Sequence, residues 1–81
     1  MKIIDIVSVD YNGTTESHIF CSTAEEADRQ SAEVEMAGHE GVRAKFFDKD
    51  ELSNSVLRFV DTGIPVHVYR RKDGRLGVSR K

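Results

Sequence analysis

The chain has one cysteine, one proline and no tryptophan in 81 residues. A lone thiol, Cys21, rules out an internal disulfide framework and points to a reducing compartment, so the cytoplasm is the expected location. One proline and six glycines exclude collagen-like and low-complexity chains. No apolar run approaches the ~18 residues that a membrane-spanning helix needs. The first residues, Met1-Lys2-Ile3-Ile4-Asp5, carry charge inside their apolar stretch and lack the long apolar region of a signal peptide. What remains is 38% hydrophobic and 32% charged with a net charge of −2, a composition that folds rather than stays disordered. Residues 1–81 are expected to form a single domain, because domains run roughly 50–200 residues.

Hydrophobic spacing gives the elements. Ile3 to Asp10 alternates as a strand, and Asn12-Gly13 is a strong hairpin signal because a type I′ turn needs positive φ at both central residues. A two-residue loop there sets Ile4 opposite Cys21, Ile6 opposite Ile19 and Val7 opposite His18. One face of the hairpin then collects Ile4, Ile6, Ile19 and Cys21 as core. The other is mixed, with Val7, Val9, Phe20, Asp5, Glu16 and His18. Thr23-Ala24-Glu25-Glu26 has capping-box spacing, with Glu26 reaching back to the cap, and Gly38 closes the helix. The inward stripe of that helix is Ala24, Ala27, Ser31, Val34 and Ala37. Val42, Ala44 and Phe46 alternate with Arg43, Lys45 and Phe47 as a half-buried strand. Asp48 caps a second helix carrying Leu52, Val56, Phe59 and Val60, stopped by Gly63 and Pro65. A last hairpin runs from Val66 to Arg80 around Lys72-Asp73-Gly74. The predicted fold is α+β in the order β-β-α-β-α-β-β, a mostly antiparallel sheet with two helices packed on one face. Phe46, Phe59, Val42, Val68 and Val78 join its core.

The chemistry-bearing residues do not converge. His18, His39 and His67 share no short metal-ligand spacing, so no metal is expected. Cys21 falls on the core face and reads as an inert thiol. Asp48-Lys49-Asp50-Glu51 fails as a calcium loop, since the positions that need an oxygen ligand, a glycine and a glutamate hold Leu52, Ser53 and Phe59. Gly74-Arg75-Leu76-Gly77 lacks the lysine and spacing of a phosphate loop. No catalytic residue and no cofactor are assigned, and a non-enzymatic protein is expected.

Charge is where the chain departs from the ordinary. Residues 1–40 hold nine acids against two bases, a net −7, and residues 41–81 hold ten bases against five acids, a net +5. The acids crowd the outer face of the first helix, where Glu25, Asp28, Glu33 and Glu35 are candidate partner contacts. The bases crowd the last hairpin, where residues 70–81 hold six bases and one acid. Tyr69, Arg70, Arg71, Lys72, Arg75 and Arg80 are the candidates there. A basic two-stranded ribbon can follow a phosphate backbone or enter a major groove, and Tyr69 can stack on a base. Bases also guard strand edges against aggregation, and acids also keep a helix solvated.

The stretch Tyr69-Arg70-Arg71-Lys72-Asp73-Gly74-Arg75 resembles the basic hairpin of phage integrase arm-binding domains, without the helix that follows it there. At the scale of the whole chain, a strand hairpin, Ser22-Thr23-Ala24-Glu25-Glu26-Ala27 opening an acidic helix, and paired short strands resemble small accessory proteins of bacteriophages and mobile elements, anti-CRISPR inhibitors among them. That resemblance implies a stoichiometric binder that blocks a host complex, and it assigns no residue. The expected function is a binding protein acting on a host protein or ribonucleoprotein through its charged surfaces. The alternative is a protein that binds DNA or RNA through the C-terminal hairpin. If both helices cover one side of the sheet, the mixed face of the first hairpin, with Val7, Val9, His18 and Phe20 together with Phe47, is open to a homodimer contact.

Overall fold

The computed structural model describes residues 2–9, 16–38 and 40–79. In chain order these form β1 (Lys2–Val9), β2 (Glu16–Cys21), α1 (Ala24–Met36), β3 (Glu40–Asp48), a 3₁₀ turn (Lys49–Glu51), α2 (Asn54–Leu57), β4 (His67–Arg70) and β5 (Leu76–Ser79). The α+β class, the element order and the antiparallel pairing are those predicted. The strands form two sheets, β2-β1-β3 and β4-β5. An isolated antiparallel bridge between His18 of β2 and Val66 links them, and an isolated parallel bridge ties Leu52, after the 3₁₀ turn, to Leu76 of β5.

The first register is the predicted one: Ile4 lies opposite Cys21, Ile6 opposite Ile19 and Val7 opposite His18. The Asn12-Gly13 turn lies outside the described residues. Because strand side chains alternate faces, this register divides the core into two layers. On one face Ile4, Ile6, Ile19 and Cys21 pack against Ala27 and Val34 of α1. On the other, Ile3, Phe20 and Phe47 pack with Leu52, Val56 of α2, Val66 and Leu76. The two helices therefore cover opposite faces of the three-stranded sheet, which corrects the expected arrangement on one face. The face read as mixed is a second core, with Phe20 fully buried. It is covered by α2 and the last hairpin of the same chain, so Phe20 and Phe47 cannot form the homodimer contact placed on them.

β3 departs from simple alternation. Asp5 faces Lys45 while Ile6 faces Arg43, so Ala44 is an extra residue, a bulge that breaks the alternation and bends the strand. Phe47, opposite Ile3, is buried at 8% exposure, whereas Phe46, opposite Ile4 on an edge strand, stays 63% exposed. The prediction had these two reversed, because it allowed only one face to be covered. The side chain of Val42 lies outside the described residues.

The second helix is also shorter than its spacing suggests. Leu52 is extended, at φ −115° and ψ 138°, and the Ser53 amide donates to the Leu76 carbonyl at 2.9 Å. Strand-like bonding to β5 thus splits the segment into a 3₁₀ turn and a one-turn helix. Val56 remains fully buried, while Phe59, Val68 and Val78 are half-buried against the same cluster. Asp61 follows with φ 64°, a left-handed conformation that Asp tolerates better than most residues. Its amide donates to the Phe20 carbonyl at 2.9 Å. Its carboxylate accepts from the Ser22 amide at 2.8 Å and from the Ser22 hydroxyl. This clamp holds the end of β2 to the segment after α2.

α1 starts as predicted, with the Glu26 amide donating to the Thr23 hydroxyl at 3.1 Å, and stops at Gly38, where φ is 88°. Glu26 does not complete the capping box: Arg29 and Gln30, one turn on, take its carboxylate at 2.7 Å each. The buried stripe is Ala27, Gln30 and Val34, while Ala24 and Ala37 are exposed.

The two-layer core makes unequal demands on its aromatics. Phe20→Ala should cost about 3–5 kcal/mol in urea unfolding, and Phe46→Ala under about 1 kcal/mol. Equal losses would mean that the second layer is not a core.

Candidate functional site

Along α1, Glu25, Asp28 and Glu35 fall at helical spacing on one exposed stripe, with the two ends ten residues and about 15 Å apart. Met36, beside the last of them, is 87% exposed. Glu33 is exposed but lies with Arg29, at 3.9 Å. Arg29 is committed chiefly to Glu26, whose carboxyl it holds below the usual range, with Gln30 assisting. Glu25, Asp28, Glu33 and Glu35 are all exposed and give this surface its acidic character.

The β4–β5 hairpin carries the opposite sign. Val68 pairs with Val78 and Arg70 with Leu76, so this side turns toward the second core; Tyr69 pairs with Gly77 on the outward side. Around the turn the Arg71 amide donates to the Arg75 carbonyl at 2.8 Å and the Gly74 amide to the Arg71 carbonyl at 3.0 Å. Gly74 has φ 88°, open space where a Cβ would stand, and the left-handed geometry that a three-residue hairpin loop requires. The predicted turn Lys72-Asp73-Gly74 is the observed one. The Arg70 guanidinium donates to the Gly74 carbonyl at 2.8 Å, and that of Arg71 lies 3.2 Å from the Asp73 carboxylate. Lys72 and Arg75 are exposed. Tyr69, Arg71, Lys72 and Asp73 line one shallow depression. Arg75 joins Lys49, Asp50, Leu52, Asn54 and Leu57 around a second. Arg80 lies outside the described residues.

These two charged surfaces are held apart by the fold. α1 covers one face of the three-stranded sheet and the hairpin belongs to the layer on the other. The structure brings Tyr69, Arg70, Arg71, Lys72 and Arg75 together on one ribbon. It brings Glu25, Asp28 and Glu35 together on one helix face, and it does not bring the two groups to each other.

The interior holds a pair that the sequence reading passed over. Asp5, 1% exposed, accepts from His18 Nδ1 at 2.9 and 3.0 Å through its two carboxylate oxygens. The imidazole stacks on Phe20 with centroids 6.1 Å apart and planes 14° from parallel. The signal was present, because the predicted register placed Asp5 and His18 on the same face of adjacent strands. Their arrangement orients a ring and offsets the burial of a carboxylate, which is costly without a partner.

The remaining candidates are spent on structure. Lys2 reaches Asp48 at 2.8 Å, raising the lysine's pKa and lowering the carboxyl's. Glu51 accepts from the Asp48 amide at 2.7 Å. Asp48 and Glu51 thus form the capping box that opens the 3₁₀ turn. Among the described residues, no group of three His, Cys, Asp or Glu side chains is placed to hold a metal ion. Among them, too, no helix is long and apolar enough to cross a membrane. Cys21 is fully buried, and burial pushes its thiol from an ordinary 9.0 up to about 11, with Glu26 and Asp61 adding to the effect.

A thiol held neutral in this way has two consequences. Native protein at pH 8 should resist iodoacetamide, while urea-unfolded protein reacts, as mass spectrometry would report. Stability should be full below pH 9.0 and should fall as pH rises toward about 11, because only the unfolded thiol ionises in that window. Fast alkylation of the folded chain would show the thiol to be accessible.

No protein-family model, curated protein or solved structure matches the chain.

Proposed function

We propose that the protein is a non-enzymatic binding protein whose β4–β5 hairpin contacts nucleic acid. The observation that supports this reading is the placement of charge. A −7 half beside a +5 half would repel a polyanion if the two were mixed. The acidic helix instead lies against the opposite face of the central sheet from the layer that carries the hairpin. The basic ribbon can then meet phosphates without the acids facing them. Lys72 and Arg75, exposed at the turn, serve as the mobile cations. Arg70 and Arg71 are braced by Gly74 and Asp73 and fix the shape of the ribbon.

A second reading, that of a phage-type inhibitor which blocks a host protein or ribonucleoprotein, has its own support. The stripe of Glu25, Asp28 and Glu35 ends at Met36, the most exposed of the large apolar side chains. Acids beside an exposed apolar side chain suit a basic groove on a protein partner, with charge steering the encounter.

Salt separates the two. For the hairpin reading, affinity for a single-stranded oligonucleotide should fall linearly in log–log form with salt, by about 0.7 per neutralised phosphate. Lys72→Ala with Arg75→Ala should shallow that slope by about 1.4, and Glu25→Lys with Glu35→Lys should leave the contacts intact. Negligible binding of DNA and RNA at about 50 mM salt, together with a protein partner lost on reversing Glu25 and Glu35, would replace this reading with the second.

A further inference from the structure

We infer that the outward face of the β4–β5 hairpin is a stacking platform for an unpaired base, with Tyr69 as the stacking ring. The inference rests on the nucleic-acid reading of the hairpin and adds which form of nucleic acid is held: a single strand.

The geometry begins with Gly77. It is the cross-strand partner of Tyr69. A Cβ built there would stand 3.1 Å from Tyr69 Cε1, 3.1 Å from Arg71 Cδ and 3.2 Å from Arg71 Cγ. Tyr69 of β4 and Arg71, just past the strand's end, therefore share a face and both lean across the bare backbone of β5. They cover Gly77 on the outward side of β5, where it is buried. A side chain at 77 would prop both up. Glycine lets the ring lie down along the sheet with the arginine stem beside it, and Tyr69 still keeps 52% of its surface open.

An apolar ring laid on a strand and left open to water is a poor use of area for stability, since β4 already buries its other side. It suits a planar ligand. Base–aromatic stacking is tolerant of sequence and contributes about 1–3 kcal/mol per base. The charge around the ring fits a polyanion: Arg71 and Lys72 line the same depression as Tyr69, with Asp73 as its one acid. Asp73 already faces the Arg71 guanidinium and accepts from the Arg75 amide at 3.0 Å. A base on Tyr69 would place its flanking phosphates near Lys72.

The same geometry argues against duplex. Reading a major groove needs long side chains standing out from the ribbon toward base edges. Here the ring leans on the sheet, and Arg70 and Arg71 are tied to Gly74 and Asp73, which leaves Lys72 and Arg75 at the tip to meet phosphates. A flat ring reaches only a base that has left its stack, as single strands and loops present.

The experiment is fluorescence anisotropy with a labelled oligo(dT) or oligo(U) of about 12 nucleotides and a duplex of the same length, at about 50 mM salt. The single strand should bind at least about tenfold tighter than the duplex. Tyr69→Ala should weaken it by about 5- to 150-fold without changing the salt slope, and Tyr69→Phe should restore it. Gly77→Ala should weaken binding too, by lifting the ring. Circular dichroism melting of Tyr69→Ala should match the parent. If Tyr69→Ala binds within twofold of the parent while Lys72→Ala still shallows the salt slope, the platform is wrong and the hairpin reading stands. Equal affinity for duplex would also overturn the platform. No binding of either probe would overturn both.

Discussion

The junction between the central sheet and the last hairpin centres on His18. Its amide and carbonyl pair with Val66 at 2.8 and 2.9 Å, the antiparallel bridge through which the last hairpin attaches to β2. Its ring holds Asp5 and lies on Phe20. One residue thus carries the backbone link between the two sheets, the partner of a buried carboxylate and a wall of the second core. Removing one member of such a pair leaves a charge without compensation, a loss of about 3–5 kcal/mol in other proteins. A domain of this size has few layers to spare, and its stability is only of order 5–15 kcal/mol. The hairpin that displays the basic residues is anchored here on its β4 side, and on its β5 side by the Leu52–Leu76 bridge and the Ser53 amide bonded to the Leu76 carbonyl.

Where local chemistry decides, the sequence was readable. The register of β1 and β2 is the one predicted from the Asn-Gly spacing, Thr23 and Gly38 bound α1, and Lys72-Asp73-Gly74 makes the last turn. Each is a short-range demand on φ or on an orphan amide. Where a distant strand decides, it was not. Leu52 has helical spacing with Val56 and Phe59, yet its backbone is claimed by Leu76, 24 residues away. Phe46 and Phe47 are equivalent as a pattern. Which one is buried depends on the second layer of cover, and the Ala44 bulge removes the alternation that would have linked them to Val42. Glu26 was expected to cap its own helix, and Arg29 and Gln30 outcompete the cap for its carboxylate.

The candidate surface divides the same way. Its charged residues stand out in composition alone, because Arg and Lys crowd one short segment. Their separation from the acidic helix was invisible until the two faces of the sheet were assigned, and that separation is what supports the hairpin reading. Gly77 is the clearest case of hidden meaning. In a strand it reads as a weak point, and only the positions of Tyr69 and Arg71 show that its missing side chain makes room for theirs.

The molecule is two-sided, with one face of its sheet backed by an acidic helix and the other by a basic hairpin, the side we propose for nucleic acid. Titrating ¹⁵N-labelled protein with a short single-stranded oligonucleotide at low salt, and following every backbone amide, tests that claim directly. The account predicts shifts concentrated from Tyr69 to Gly77, with amides of α1 from Glu25 to Met36 left in place. Shifts concentrated on α1, or spread evenly over both faces, would contradict it.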